Sequence, residues 1–597
     1  MKQFLKYTLA TIVGIIISSV ILFFIGVLML AGIAGSSISA SKDKEVYVKP
    51  NTVLHLKLDY PVFDRGTDNP FENINWATFK PEPRLGLNEI LRSIDKAKND
   101  ENIKGIYLDL MFVPAGIAAL DEIRDALLDF KESGKFVLSY GDLYVQSTYY
   151  LASVSDRVYL NPQGIIDFKG LHSELMFFKG TLEKLGIEPI VIRGPENIYK
   201  SAIEPFTQKE MTPANEEQME ALIFTLWNNM LAGISESRKI PVEELKTIAD
   251  SVYVRSAESA KKYKLADDLL YKDQFRDKLL EFAGVEDIKD LNMMKLHKYR
   301  YAPCAGETEN KPRDKKIAVI YATGAIGFGE GDDQNIGSER FSKTLRKARE
   351  DSTIKAVVLR INSPGGNGLA SEIIWREVYL TTQEKPVIVS MGSLAASGGY
   401  YIACPADKII CSPYTITGSI GVYGLLFNAS EFLEQKLGIT TDGISTNPFA
   451  DLGSFTRPMK PAEREIINSY VGNVYDVFLD HVANGRDISK EQVDSIGRGR
   501  VWSGVDAKKI GLVDDFGGLK KSIDVAAETA GLEEYRIVEL PRRPDPFKMF
   551  FKGLSGGSTG KILEEKLGPG FKYYNYLYST LNDQGIQARM PFIIEIY

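Results

Sequence analysis

The stretch NIKGIYLDL, residues 102–110, returns 251 residues later as TIKAVVLRI, residues 353–361. Each is a short, largely apolar run rich in β-branched residues, the pattern of a strand buried on both faces. Other pairs follow at nearly the same offset. Tyr149-Tyr150-Leu151-Ala152 answers to Tyr400-Tyr401-Ile402-Ala403, and Lys184-Leu185-Gly186-Ile187 to Lys436-Leu437-Gly438-Ile439. Ser259-Ala260-Lys261-Lys262 lies near the place of Asp506-Ala507-Lys508-Lys509. A single duplicated domain accounts for all of them. The copies run over residues 49–296 and 315–540, with a polar linker at 297–314 and a tail at 541–597 that mixes aromatic residues with glycines.

In the second copy, β-branched runs at 317–321, 356–361 and 387–390 alternate with helical patterns at 338–350 and 369–382. Strand, helix, strand implies an α/β fold, a parallel sheet covered by helices. Ligands of such sheets sit beyond the carboxyl ends of the strands, so chemistry is expected in the loops after these runs.

Composition narrows the classes of function. With 72 Lys and Arg against 79 Asp and Glu in 597 residues, the net charge is -7, and no basic surplus offers itself to nucleic acid. Cys304, Cys404 and Cys411 are too few and too scattered for a disulfide framework or a four-ligand zinc site. Four isolated histidines, His55, His172, His297 and His481, give little material for a histidine triad, and no metal or cofactor is expected. Proton transfer then needs another base.

Two loops of the second copy are rich in glycine. Asn362-Ser363-Pro364-Gly365-Gly366-Asn367-Gly368 follows the strand at 356–361. Its backbone N–H groups can face an anion such as a phosphate or an oxyanion, although the same residues suit an ordinary strand-to-helix turn. It lacks the GK[ST] of a P-loop and the spacing of a dinucleotide fingerprint. The second loop, Met391-Gly392-Ser393-Leu394-Ala395-Ala396-Ser397-Gly398-Gly399, brackets one serine with small residues before an apolar helix. Ser397 there is either a helix cap or a nucleophile, with the Gly366 and Gly398 N–H groups as oxyanion donors.

The NSPGG loop, the AASGGYY segment at 395–401 and Thr417-Gly418-Ser419-Ile420-Gly421-Val422 closely resemble the signal peptide peptidase A family, also called protease IV, in its long two-repeat form. The resemblance runs from the amino-terminal apolar segment to about residue 540. It implies a tandem pair of crotonase-like, Clp-protease-like domains and a membrane-anchored serine endopeptidase with lysine as general base. It also implies degradation of remnant signal peptides, and a homotetramer. The family's Tyr-Lys-Ser-Ala-x-Glu-Pro-Phe motif matches Tyr199 to Phe206 and points to Lys200; Ser419 would orient its amine. The lead-in from Arg193 to Ile198 is about one residue longer than the family's usual one.

The repeat supplies a separate argument. At the position of Ser397 the first copy has Gln146, and its counterpart of the Gly-Gly loop reads Val113-Pro114-Ala115-Gly116. Opposite Lys200 the second copy has Phe449, with no lysine between Lys436 and Lys460. Each copy lacks what the other has, as expected of one active site assembled across both. An ordinary lysine, with a pKa of about 10.4, is neutral in only about one molecule in 2,500 at pH 7, and bringing it to neutrality costs roughly 4.6 kcal/mol. Lys200 should therefore be desolvated, with Ile198, Ile203 and Phe206 as candidates for the apolar wall.

No charged residue occurs from Tyr7 to Ser41, and residues 7–34 are apolar enough to span a bilayer. A cleaved signal peptide is the rival, but its apolar core would be about half as long. With Lys2 and Lys6 on the short side, the expectation is a single-pass anchor in a bacterial inner membrane, residues 1–6 cytoplasmic and the body periplasmic. Peptides and the membrane are the expected partners. The alternatives are a crotonase-type acyl-CoA enzyme, which an extracytoplasmic body would remove from its cofactor, and a catalytically idle membrane scaffold.

Overall fold

The structure, a computed structural model, describes residues 6–7, 11, 13–15, 17–19, 21, 46–66, 74–75, 80–81, 85–194, 196–303, 312–542 and 585–589. Most of the expected membrane helix at 7–34, part of the linker and most of the tail lie outside the described residues. No helix among the described residues is long and apolar enough to cross a membrane.

The repeated stretches at 102–110 and 353–361 fall on strands Ile103–Asp109 and Ile354–Ser363, each central in its own sheet. The first sheet runs Asp268–Leu269, Arg157–Ile166, Phe136–Tyr144, Ile103–Asp109, Thr52–Lys57, Asn292–Lys295, all parallel. The second sheet repeats that order. There Val387–Ala396 pairs with both Lys408–Cys411 and Ile416–Gly418, and on its other side come Ile354–Ser363, Lys316–Thr323 and Arg536–Leu540. Val501–Ser503 closes the edge, antiparallel to Ile416–Gly418.

Alternation explains why these strands are apolar throughout. In Lys316–Thr323, Ala318, Ile320 and Ala322 enter one core, while Ile317, Val319 and Tyr321 enter a second core on the opposite face. Both faces of a parallel sheet are covered, so neither set of side chains is left for solvent. The duplication extends to single hydrogen bonds. Tyr149 Oη donates to the Leu265 carbonyl at 2.9 Å and Tyr400 Oη to that of Leu512 at 2.8 Å; Lys261 pairs with Asp268 as Lys508 does with Asp515.

The repeats share their interior. Ala396, Tyr414, Ile416 and Val501 of the second belong to the main core of the first. Arg360, fully buried, donates from Nε to Asp64 at 2.7 Å and from Nη2 to Glu122 at 2.6 Å, both acids being buried residues of the first repeat. A third, mixed sheet joins everything near the glycine-rich loops. Its order is Asn335–Gly337, Ala325–Gly327, Gly365–Asn367, Gly585–Arg589, Tyr423–Asn428, Glu188–Arg193. The last two strands, one from each repeat, pair antiparallel, and the tail strand Gly585–Arg589 lies antiparallel between Gly365–Asn367 and Tyr423–Leu425.

Candidate active site

Strand Val387–Ala396 runs past the expected end at residue 390 and delivers Ser397 directly to the start of helix Gly398–Ala403. The junction is sharp: Ser397 has φ 55° and ψ -115°, a conformation that L-residues with a side chain seldom adopt and that costs about 1–3 kcal/mol. The turn is held by the Ser397 N–H donating to the Gly418 carbonyl at 2.8 Å and by the Tyr401 N–H donating to the Ser397 carbonyl. Ser397 occupies the cap position, yet its hydroxyl makes no capping bond. It faces Lys200 instead.

Lys200 leaves the loop between strand Glu188–Arg193 and the short 3₁₀ turn Ser201–Ile203. Its Nζ is 2.8 Å from Ser397 Oγ, 2.9 Å from the Ser419 carbonyl oxygen and 2.9 Å from Ser419 Oγ, all within one chain. The three residues are fully buried. Burial alone drives the lysine pKa well below its ordinary value; no acid pulls it back. A neutral amine has two N–H donors and one lone pair. The Ser419 carbonyl can only accept, so it takes one hydrogen; Ser419 Oγ can take the second, which leaves the lone pair for the Ser397 hydroxyl.

Of the residues expected to dry this pocket, Ile203 and Phe206 are buried with Leu182, Tyr423, Leu425 and Phe427. Ile198 is not: it is 43% exposed. Its side chain leaves the site because the adjacent residues, Asn197 and Tyr199, are tied to the backbone at Gly194 and Arg498.

Gly398 is the first residue of the helix after Ser397, where backbone N–H groups have no intrahelical acceptor. Gly366 is the middle residue of Gly365–Asn367, opposite Ile326 on one edge and Ala588 of the tail strand on the other. A Cβ on Gly366 would come within 2.1 Å of the Ile326 carbonyl oxygen, so no larger residue fits without moving a strand. Gly399 likewise packs its backbone against Ser363, bringing the two glycine loops together.

A family model for peptidase family S49 matches residues 129–286 and 380–533, one segment in each repeat. Protease 4 of Haemophilus influenzae is 36% identical over 533 residues, covering 86% of this chain and 85% of that protein. The chain belongs to peptidase family S49. Protease 4 of Salmonella typhi is 37% identical over 489 residues, 80% of this chain and 77% of its own. The chloroplastic serine protease SPPA of Arabidopsis thaliana is 33% identical over 519 residues, 85% of this chain and 75% of its own. This S49 peptidase is accordingly a serine protease built from two repeats of one domain.

In the first repeat of the peptidase, the equivalent of the serine position is closed. Gln146 is buried, accepts at Oε1 from the N–H groups of Lys169 and Gly170, and donates from Nε2 to the Gly170 carbonyl. A side chain thus stitches shut the loop that in the second repeat carries Ser419.

Sequence reasoning misses the bracket that joins the two halves of the site. Gly499, at φ 84°, lies so close to Lys200 that a Cβ would sit 2.5–2.6 Å from its N, Cα and Cβ atoms. On either side, the Tyr199 N–H donates to the Arg498 carbonyl at 3.1 Å and the Ser419 N–H to the Arg500 carbonyl at 2.7 Å. One short loop, residues 498–500, therefore holds the lysine loop and the Ser419 turn at once. The glycine pair in Gly497-Arg498-Gly499-Arg500 was the available signal, but nothing local connects it to a lysine some 300 residues earlier.

Proposed function

We propose that the peptidase cuts polypeptides through a Ser397–Lys200 dyad and a covalent acyl-enzyme. The single observation that carries this is the 2.8 Å contact between a fully buried lysine amine and a fully buried serine hydroxyl on a strained turn. Neutral Lys200 takes the Ser397 proton as Oγ attacks the peptide carbonyl carbon. The carbonyl oxygen becomes an oxyanion, stabilised by the Gly366 and Gly398 N–H groups. Collapse breaks the C–N bond, and the ammonium of Lys200 returns its proton to the leaving amine. Water then adds to the ester by the same route, with Lys200 as base, and frees Ser397. Ser419 keeps the amine aimed, the task a carboxylate performs for histidine in other serine proteases.

The substrate on this reading is an extended, apolar chain such as a spent signal peptide. Main-chain pairing of Gly585–Arg589 with Gly365–Asn367 and Tyr423–Leu425 supports it, since a substrate strand would use the same two edges. Residues 7–34 would tether the body to the outer face of a bacterial inner membrane, near such peptides, with a homotetramer as the assembled form.

The decisive test is labelling with a fluorophosphonate. Wild type should be modified at Ser397 and lose its ability to cleave a synthetic signal peptide, while Lys200→Ala, folded as judged by circular dichroism, should label at a negligible rate. Near-normal cleavage by Lys200→Ala refutes the mechanism, and modification elsewhere refutes the nucleophile.

A further inference from the structure

Helix Pro213–Arg238 begins at the Thr212 cap and carries, on its second turn, a glutamine that is almost wholly buried. Gln218 Nε2 lies 3.1 Å from the Tyr199 carbonyl, 2.8 Å from Ser201 Oγ and 3.0 Å from Asn215 Oδ1. Its Oε1 accepts the Val501 N–H at 3.2 Å, across the boundary between the repeats. The partners fix the amide's orientation: a carbonyl can only accept and a backbone N–H can only donate, so the flipped amide would lose both bonds. Asn215 is itself pinned, donating from Nδ2 to buried Glu204 at 2.8 Å, whose other bonds come from the Thr212 N–H and hydroxyl.

Tyr199 and Ser201 flank Lys200. Val501 pairs with Gly418, and the carbonyl just before it, that of Arg500, holds the Ser419 N–H. One side chain thus ties the backbone on both sides of the lysine to the strand that sets the Ser419 turn. We infer that Gln218 is a positioning residue of the peptidase, the strut that keeps the Lys200 amine buried against Ser397 when the two repeats meet. The inference rests on the dyad reading above. Without the strut the loop slackens, water reaches the amine, and its pKa climbs back toward the ordinary lysine value.

The test is Gln218→Met in the full-length protein, which keeps the side-chain length and removes every one of these bonds. The expected result is a kcat lower by about tenfold or more with KM within about twofold, and an acidic limb of the kcat/KM profile moved up by about half a pH unit or more. Fluorophosphonate labelling of Ser397 should slow by the same factor as kcat. Glu220→Ala, at an exposed position two residues further along the same helix, should leave all three readouts unchanged. A lowered Tm with unmoved kcat and unmoved pH limb overturns the inference, because a purely structural glutamine would behave that way. If Gln218→Met fails to fold, Gln218→Glu, which retains the acceptor for Val501 and loses the donors, is measured in its place; if neither folds, the residue is a folding determinant and the positioning role falls. Activity in Lys200→Ala would defeat the dyad itself, whereas an inactive Lys200→Ala beside an unmoved Gln218→Met profile defeats only the strut.

Discussion

Replacing Lys200 with methionine should change the way stability depends on pH, and the sign follows from the pocket. The amine is fully buried, its three partners are uncharged, and its pKa is driven down by desolvation alone. The folded protein therefore releases a proton that the unfolded chain keeps until about pH 10.4. Between the depressed folded value and about 10.4 the unfolded state binds one more proton, so wild-type stability rises with pH by about 1.36 kcal/mol per unit. Below the folded value both states are protonated, above about 10.4 both are neutral, and in either range the slope vanishes. Methionine has no proton to exchange. Urea denaturation of both proteins at about pH 8 and about pH 9 should show the wild type gaining about 1.4 kcal/mol on the variant over that interval. Parallel stability profiles would mean that the amine is charged in the folded protein, and the general-base role of Lys200 would fall with that result.

Four further outcomes are expected. Ser397→Gly and Ser397→Ala should both be inactive, but glycine should be the more stable by about 1 kcal/mol in chemical denaturation, because it relieves the positive φ. Gly499→Ala should lower kcat by about a hundredfold with the fold retained in circular dichroism, since its Cβ pushes on the Lys200 backbone. Arg360→Met leaves Asp64 and Glu122 buried without their cation and should cost about 3–5 kcal/mol, read as an earlier denaturation midpoint. Deleting residues 585–597 should free the edges of Gly365–Asn367 and Tyr423–Leu425 and lower KM for an extended peptide by about threefold or more, measured by steady-state cleavage.

Much of the fold is legible in the sequence because strands buried on both faces must be apolar at every position, and a duplicated domain repeats that constraint at a constant spacing. Strand Ile354–Ser363 and helix Ser338–Glu350 fall where their patterns place them. Ser397 stands out because its small neighbours are contiguous with it. Lys200 does not; only the motif shared with a known family distinguishes it from other lysines, since its burial is produced by residues far away in the chain. The same holds for Gly499, packed on Lys200 from far along the chain, for Gln218, whose bond to the Val501 N–H reaches into the other repeat, and for the exposure of Ile198, which backbone bonds rather than hydropathy decide. Composition points to an apolar wall at that residue, and tertiary hydrogen bonding overrides it.

On the proposed mechanism, the division of the dyad between repeats has a consequence for biosynthesis. Domains fold as units, amino-terminal first, while the ribosome is still adding residues. The half that carries the amine, residues 49–296, is complete about one hundred residues before Ser397 is made, and the hydroxyl is useless until the second half has docked on the first. On that mechanism a nascent or truncated chain has no cutting power, and the enzyme stays harmless to neighbouring unfolded chains until its two halves have docked.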